Sequence, residues 1–160
     1  MAEPRWLDKR EAHLWQSYRD LYRELNGALE AQLIRKSGLS GADYSLLVPL
    51  SESAEGILRT RELGRSVGWE RSRLSHQVSR MEKRGLVARE ECPGDARGSM
   101  VRLTEAGRAA IEGAAPDHVE AVRSYFFDRL SRHEQDLLTE VMDRVLAGLP
   151  ADARGSDAVC

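Results

Sequence analysis

Between Leu14 and Leu33 apolar side chains return every three or four residues: Leu14, Tyr18, Leu21, Leu25, Leu29 and Leu33, with Trp15 and Tyr22 widening the stripe. That period puts them on one face of an α-helix, and the segment 8–36 reads as a single helix about 40 Å long at 1.5 Å per residue. A second seam lies near the other end, where Leu138, Val141, Met142, Val145 and Leu149 follow a Ser131/Glu134 capping box. Two apolar faces of this length exceed what one small domain can cover. They must bury against something, and a second copy of the chain is the economical choice. The fold class that follows is mainly α.

Between the seams the pattern shortens. Gly38 is a stop signal and Ser40 caps a second helix carrying Tyr44, Leu47, Val48 and Leu50, which Pro49 is expected to end or bend. Residues 51–56 form a polar loop. Thr60 then caps a short helix, Arg61 to Ser66, followed by the turn Val67-Gly68-Trp69. From Glu70 to Lys83 a further helix turns Leu74, Val78 and Met81 inward and Ser72, Arg73, Ser75, His76, Ser79, Arg80 and Lys83 outward. Leu86 to Glu91 and Ser99 to Leu103 read as two short strands around a loop rich in Pro, Gly and Asp. Thr104 caps the next helix, which Pro116 is expected to interrupt, with helical pattern resuming at Val119, Val122, Phe126 and Leu130.

This order predicts a winged helix-turn-helix over 39–104 with a two-stranded β-wing. It is flanked by an N-terminal dimerisation helix (8–38) and C-terminal dimerisation helices (105–149), with a disordered tail at 150–160.

Charge sharpens the reading. Ile57 to Leu103 holds 11 Lys+Arg against 6 Asp+Glu, while the remainder holds 13 against 20. A basic block inside an acidic chain marks one surface for a polyanion. Arg73, His76, Ser72 and Ser75 carry donors suited to base edges in a major groove, and Thr60, Arg61, Arg65, Arg71 and Arg80 suit phosphates. Arg97, in the hairpin loop, could enter a narrow minor groove, with Asp95 bracing the loop through a neighbouring Arg. A homodimer would set two such heads about one turn of DNA apart.

The run Asp95-Ala96-Arg97-Gly98-Ser99-Met100-Val101-Arg102-Leu103-Thr104 resembles the wing signature of MarR-type regulators, D-x-R-x5-L-T. Glu62-Leu63-Gly64 and the stretch from Arg73 to Val87 are similar to that family's helix-turn-helix and wing entry, and Ser37-Gly38-Leu39-Ser40 with Tyr44 to its second-helix opening. The resemblance spans about residues 8–148. It implies a homodimeric regulator, usually a repressor, that binds a pseudo-palindrome of double-stranded DNA. It also implies release by a small aromatic or anionic effector between the lobes, where Trp15, Tyr18, Arg19, Tyr22 and Tyr44 could line a pocket.

Other classes recede. No apolar run approaches the ~20 residues of a membrane span, and the N-terminus carries no secretory signal, so a cytoplasmic protein is expected. The four histidines show no paired ligand spacing, and no phosphate loop, zinc-protease motif or nucleophile elbow occurs, so no metal, cofactor or enzymatic activity is expected. Two alternatives stay open: a winged helix that docks a partner protein without reading DNA, and a thiol switch at Cys92, whose acidic neighbours Glu90, Glu91 and Asp95 would dull the thiolate.

Overall fold

The computed structural model describes residues 3–92 and 95–150; for residue 92 and residues 95–97 it describes the backbone alone. The expected tail therefore lies almost wholly outside the described residues, as do the side chains of Cys92, Asp95 and Arg97.

Helix α1 (Lys9–Ser37) starts at Asp8, whose carboxylate accepts the Glu11 N–H at 2.8 Å while Glu11 accepts the Asp8 N–H at 2.9 Å. It stops at Gly38, whose φ of 69° is the left-handed conformation that only glycine adopts cheaply. Helix α2 (Gly41–Glu52) opens with the same reciprocal arrangement between Ser40 and Asp43. Pro49 does not end it. The carbonyl that loses its partner there belongs to Ser45, an exposed residue, while Leu46, Leu47 and Leu50 hold the helix to the core.

Ile57–Arg59, which carries no strand period, forms strand β1 and makes the sheet three-stranded. It pairs antiparallel with β3 (Asp95–Leu103), which also pairs with β2 (Val87–Cys92), giving the order β1-β3-β2. Leu58 sits opposite Val101, and Val87 opposite Leu103. The wing proper is the two-stranded β2–β3 hairpin, as expected, with β3 longer than its sequence pattern.

Helices α3 (Thr60–Val67) and α4 (Arg71–Lys83) form the helix-turn-helix. Thr60 is not the cap of α3. Arg59 holds that position, its N–H given to the Glu62 carboxylate at 3.3 Å, because strand pairing delivers the chain into the helix one residue early. Gly68, at φ 66°, makes the turn. At Gly64 a Cβ would stand 3.2 Å from Leu74 Cδ2, so the absence of a side chain sets how closely α3 meets α4. Leu63, Leu74, Val78 and Met81 close the core with Leu39, Leu46, Leu47, Leu50 and Val101, each contributing about 1.5–3 kcal/mol by burial.

Helix α5 (Glu105–Tyr125) is capped by Thr104 and runs unbroken through Pro116. The carbonyl four residues back belongs to exposed Glu112, and Ile111, Ala114 and Ala121 keep the helix packed on either side of the proline. A short 3-10 turn, Phe127–Arg129, leads to α6 (Arg132–Ala147), whose Ser131/Glu134 box forms as expected. The C-terminal end of α1 packs on α5, Gln32 and Leu33 being its buried residues. The N-terminal part of α1 and most of α6 are exposed: Leu14 is 71% exposed, Val145 61%, and no residue of α6 is fully buried.

Candidate nucleic-acid interface

Thr60, Arg61, Arg71, Ser72, Arg73, Ser75, His76 and Arg80 all lie on the helix pair α3–α4, as their spacing implied. The side chains of Arg61, Arg71, His76 and Arg80 are exposed and form no hydrogen bond or ion pair with any described residue. Their charge is therefore unspent. Elsewhere arginines are committed: Arg84 to Asp43, Arg102 to Glu90, Arg89 to Glu82. Arg73 differs from its neighbours. Its guanidinium carbon lies over the indole ring of Trp69, 4.2 Å from the ring centroid.

Two of the expected contact residues are tied to the wing. The Thr60 hydroxyl meets Ser99 at 2.7 Å (Oγ) and 2.9 Å (carbonyl oxygen), joining α3 to β3. Half-buried Ser75 receives Arg89 from β2: Arg89 Nη2 donates to the Ser75 carbonyl at 2.8 Å and the Ser79 hydroxyl at 2.8 Å, and approaches Ser75 Oγ at 3.4 Å. Arg89 also gives its backbone N–H to Glu82 at 3.0 Å. These bonds join the wing to α4. At the base of the wing Arg102 grips Glu90 with two hydrogen bonds, holding that carboxyl below its usual range and raising the guanidinium. Asp95 and Arg97 fall outside the described side chains.

Behind α4 lies a clamp that sequence reasoning missed. Asp43, 1% exposed, accepts from Gln77 Nε2 at 2.7 Å, Arg84 Nη1 at 2.6 Å and the Ser40 N–H at 2.9 Å. Arg84 also donates to the Gly38 carbonyl at 3.2 Å. One carboxylate therefore ties the α1–α2 junction to the middle and end of α4. These partners lie 34 and 41 residues from Asp43 along the chain, so no local pattern announces them.

The proposed effector residues separate into two places. Trp15, Tyr18, Arg19 and Tyr22 lie exposed on the projecting part of α1, with Trp15 and Tyr18 stacked at 5.4 Å. Tyr44 sits on α2 against His118 of α5, ring centroids 4.4 Å apart, and His118 Nδ1 meets Gln32 Oε1 of α1 at 3.2 Å. Burial raises the Tyr44 hydroxyl and lowers the His118 imidazole. Tyr44 also borders an open cavity of about 490 Å³ with Val48, Pro49, Glu52, Val67 and Trp69. Among the described residues no group of three metal-ligating side chains gathers, and no helix is long and apolar enough to cross a membrane.

Comparison with known proteins bears on the same region. The pattern of the MarR family matches residues 37–98, from the end of α1 into the wing. Over 94% of both chains the fold is similar to that of Sco3205, a MarR family transcriptional regulator from Streptomyces coelicolor solved in complex with DNA, at 44% identity and a TM-score of 0.88. AbsC, a MarR family transcriptional regulator from the same organism, is 36% identical over 90% of this chain and 97% of its own, at a TM-score of 0.85. The HTH-type transcriptional regulator MhqR of Bacillus subtilis is 25% identical over 78% of this chain and 83% of its own.

Proposed function

The chain belongs to the MarR family of transcriptional regulators, DNA-binding proteins that are not enzymes, and from that premise we propose that it represses transcription by binding an inverted repeat as a homodimer. The observation that carries the reading is the row of unpaired Arg61, Arg71, His76 and Arg80 around a stacked Arg73 on one exposed helix pair. Arg73, His76 and Ser72 read base edges, the guanidinium suiting the two acceptors of guanine. Arg61, Arg71 and Arg80 hold phosphates, and Arg97 with Asp95 extends the grip through the wing. Thr60 and Ser75 serve mainly to fix the wing against α3 and α4.

The exposed seams support the dimer. A second copy that covers Leu14, Leu21, Leu137, Val141, Val145 and Leu149 removes apolar surface that water penalises. In this arrangement 8–38 and 105–149 are the dimerisation segments and 39–104 the reading head.

An effector that releases DNA would lodge in the cavity beside Tyr44. Its flat walls, Tyr44 and Trp69, suit an aromatic ring. Its one charged lining residue is Glu52, which favours a neutral or cationic aromatic over the anion that the family resemblance suggested.

The test is selection of bound duplexes from a random DNA pool, followed by a salt titration on the enriched sequence. An inverted repeat bound with a steep salt dependence is the expected result, since each neutralised phosphate adds about −0.9 to the log–log slope. No enrichment with a shallow slope would overturn the reading and leave partner proteins as the ligands of this surface.

A further inference from the structure

Trp69 stands at a junction that DNA binding alone does not explain. It follows the left-handed Gly68 in the turn between α3 and α4, and its N–H is fixed to the Gly64 carbonyl at 3.0 Å. Its ring packs on the core from a half-buried position, one edge in the wall of the cavity beside Tyr44 and Val48. Its face carries the Arg73 guanidinium at 4.2 Å, four residues on and one turn into α4. Among the described residues Arg73 has no other partner.

We propose that Trp69 is a positioning residue for sequence readout: its indole holds the Arg73 guanidinium in the orientation that Arg73 uses on a base edge. The proposal rests on the DNA reading above and deepens it. A free arginine samples many rotamers and gives up about 2 kcal/mol of rotamer entropy when it is fixed; stacking on a ring that is itself fixed removes part of that loss before DNA arrives. The ring contact spends no hydrogen bond, so the five N–H donors of the guanidinium stay available to acceptors. A carboxylate partner would occupy those same donors, as Glu90 does with Arg102. The indole therefore orients the side chain without consuming its hydrogen-bonding capacity, and it does so for Arg73 and for none of Arg61, Arg71 or Arg80, which carry no ring contact.

The test is a double-mutant cycle on the full chain, read by fluorescence anisotropy with the enriched duplex, its single-base variants and an unrelated duplex. Trp69→Leu is expected to weaken binding to the enriched duplex about five- to thirty-fold, the effect of two symmetric cation–π contacts. It should flatten discrimination at one base pair per half-site and leave affinity for the unrelated duplex, which rests on phosphates, unchanged. Trp69→Phe, which keeps a ring face, should recover most of the loss, with thermal melting run on each variant. In an Arg73→Ala background Trp69→Leu should cost nothing further. An equal loss in that background, or a loss shared by the unrelated duplex, would make Trp69 a packing residue and overturn the proposal while sparing the DNA reading. A wild-type chain that prefers no duplex would overturn both.

Discussion

Replacing Asp43 with alanine removes the acceptor for three donors at once, and the structure sets the size of the effect. The Gln77 amide, 7% exposed, is left buried without its partner, which costs about 1–3 kcal/mol. The Ser40 N–H loses its acceptor at the start of α2, worth about 0.5–1 kcal/mol. Arg84, whose side chain is 46% exposed, can rehydrate, so its pair contributes about 1 kcal/mol rather than the 3–5 of a fully buried one. Together these give about 4 kcal/mol. Asp43→Asn keeps the volume and one acceptor and should cost about half as much. Urea unfolding at fixed protein concentration is the assay, because a dimer's apparent stability shifts with concentration. Thermal midpoints should fall by about 10 °C for alanine, at 2–4 °C per kcal/mol for a chain of this size. A loss below about 1 kcal/mol for Asp43→Ala would mean that Gln77 and Arg84 find other partners or water, and that the carboxylate does not hold α4 to the α1–α2 junction.

Three further outcomes are expected. In Gly107→Ala the new Cβ would stand 2.0 Å from the Leu86 carbonyl oxygen and 2.8 Å from Leu103 Cδ1. Backbone must move there, so unfolding experiments should show a loss of at least about 2 kcal/mol; a neutral result would mean that α5 can slide on the wing root. His118 is held below its ordinary value of about 6.5 by burial, so the unfolded chain protonates first as the pH drops. Stability should therefore decline as the pH falls through the region of 6.5, and His118→Asn should flatten that slope; an identical slope in the variant would remove His118 as its source. Val145→Asp, a charge set in the exposed seam of α6, should shift sedimentation from dimer to monomer, and an unchanged dimer would exclude this seam from the interface.

What the sequence disclosed and what it withheld divide along the range of the interactions. The caps at Ser40, Thr104 and Ser131 act over three residues, and the inward stripe Leu74–Val78–Met81 repeats at helical spacing, so both are written locally and both are found in the structure. β1 is three residues long and owes its existence to β3, more than 40 residues away in the chain, so no period marks it. Pro49 and Pro116 read as breaks, yet each orphans the carbonyl of an exposed residue while flanking core residues keep the helix whole. In the candidate site the basic face of α4 was legible as a face, whereas the commitment of Thr60 to Ser99 and of Ser75 to Arg89 depends on how α3, α4 and the wing meet. The contact of Arg73 with Trp69 spans only four residues, a local signal that sequence reasoning missed. Free and engaged hydroxyls look alike in a sequence.

The central claim is that two copies of this chain grip DNA phosphates with the same exposed arginines. The most direct measurement compares the salt dependence of binding to the enriched duplex for the wild-type chain and for Arg80→Ala. Arg80 is exposed and unpaired among the described residues, so its removal should leave the fold intact. Each phosphate contact contributes about 0.9 to the slope, and a symmetric dimer loses two contacts per substitution, so the slope should become shallower by about 1.8. A change of about 0.9 would contradict the symmetric dimer, and an unchanged slope would contradict the phosphate contact itself.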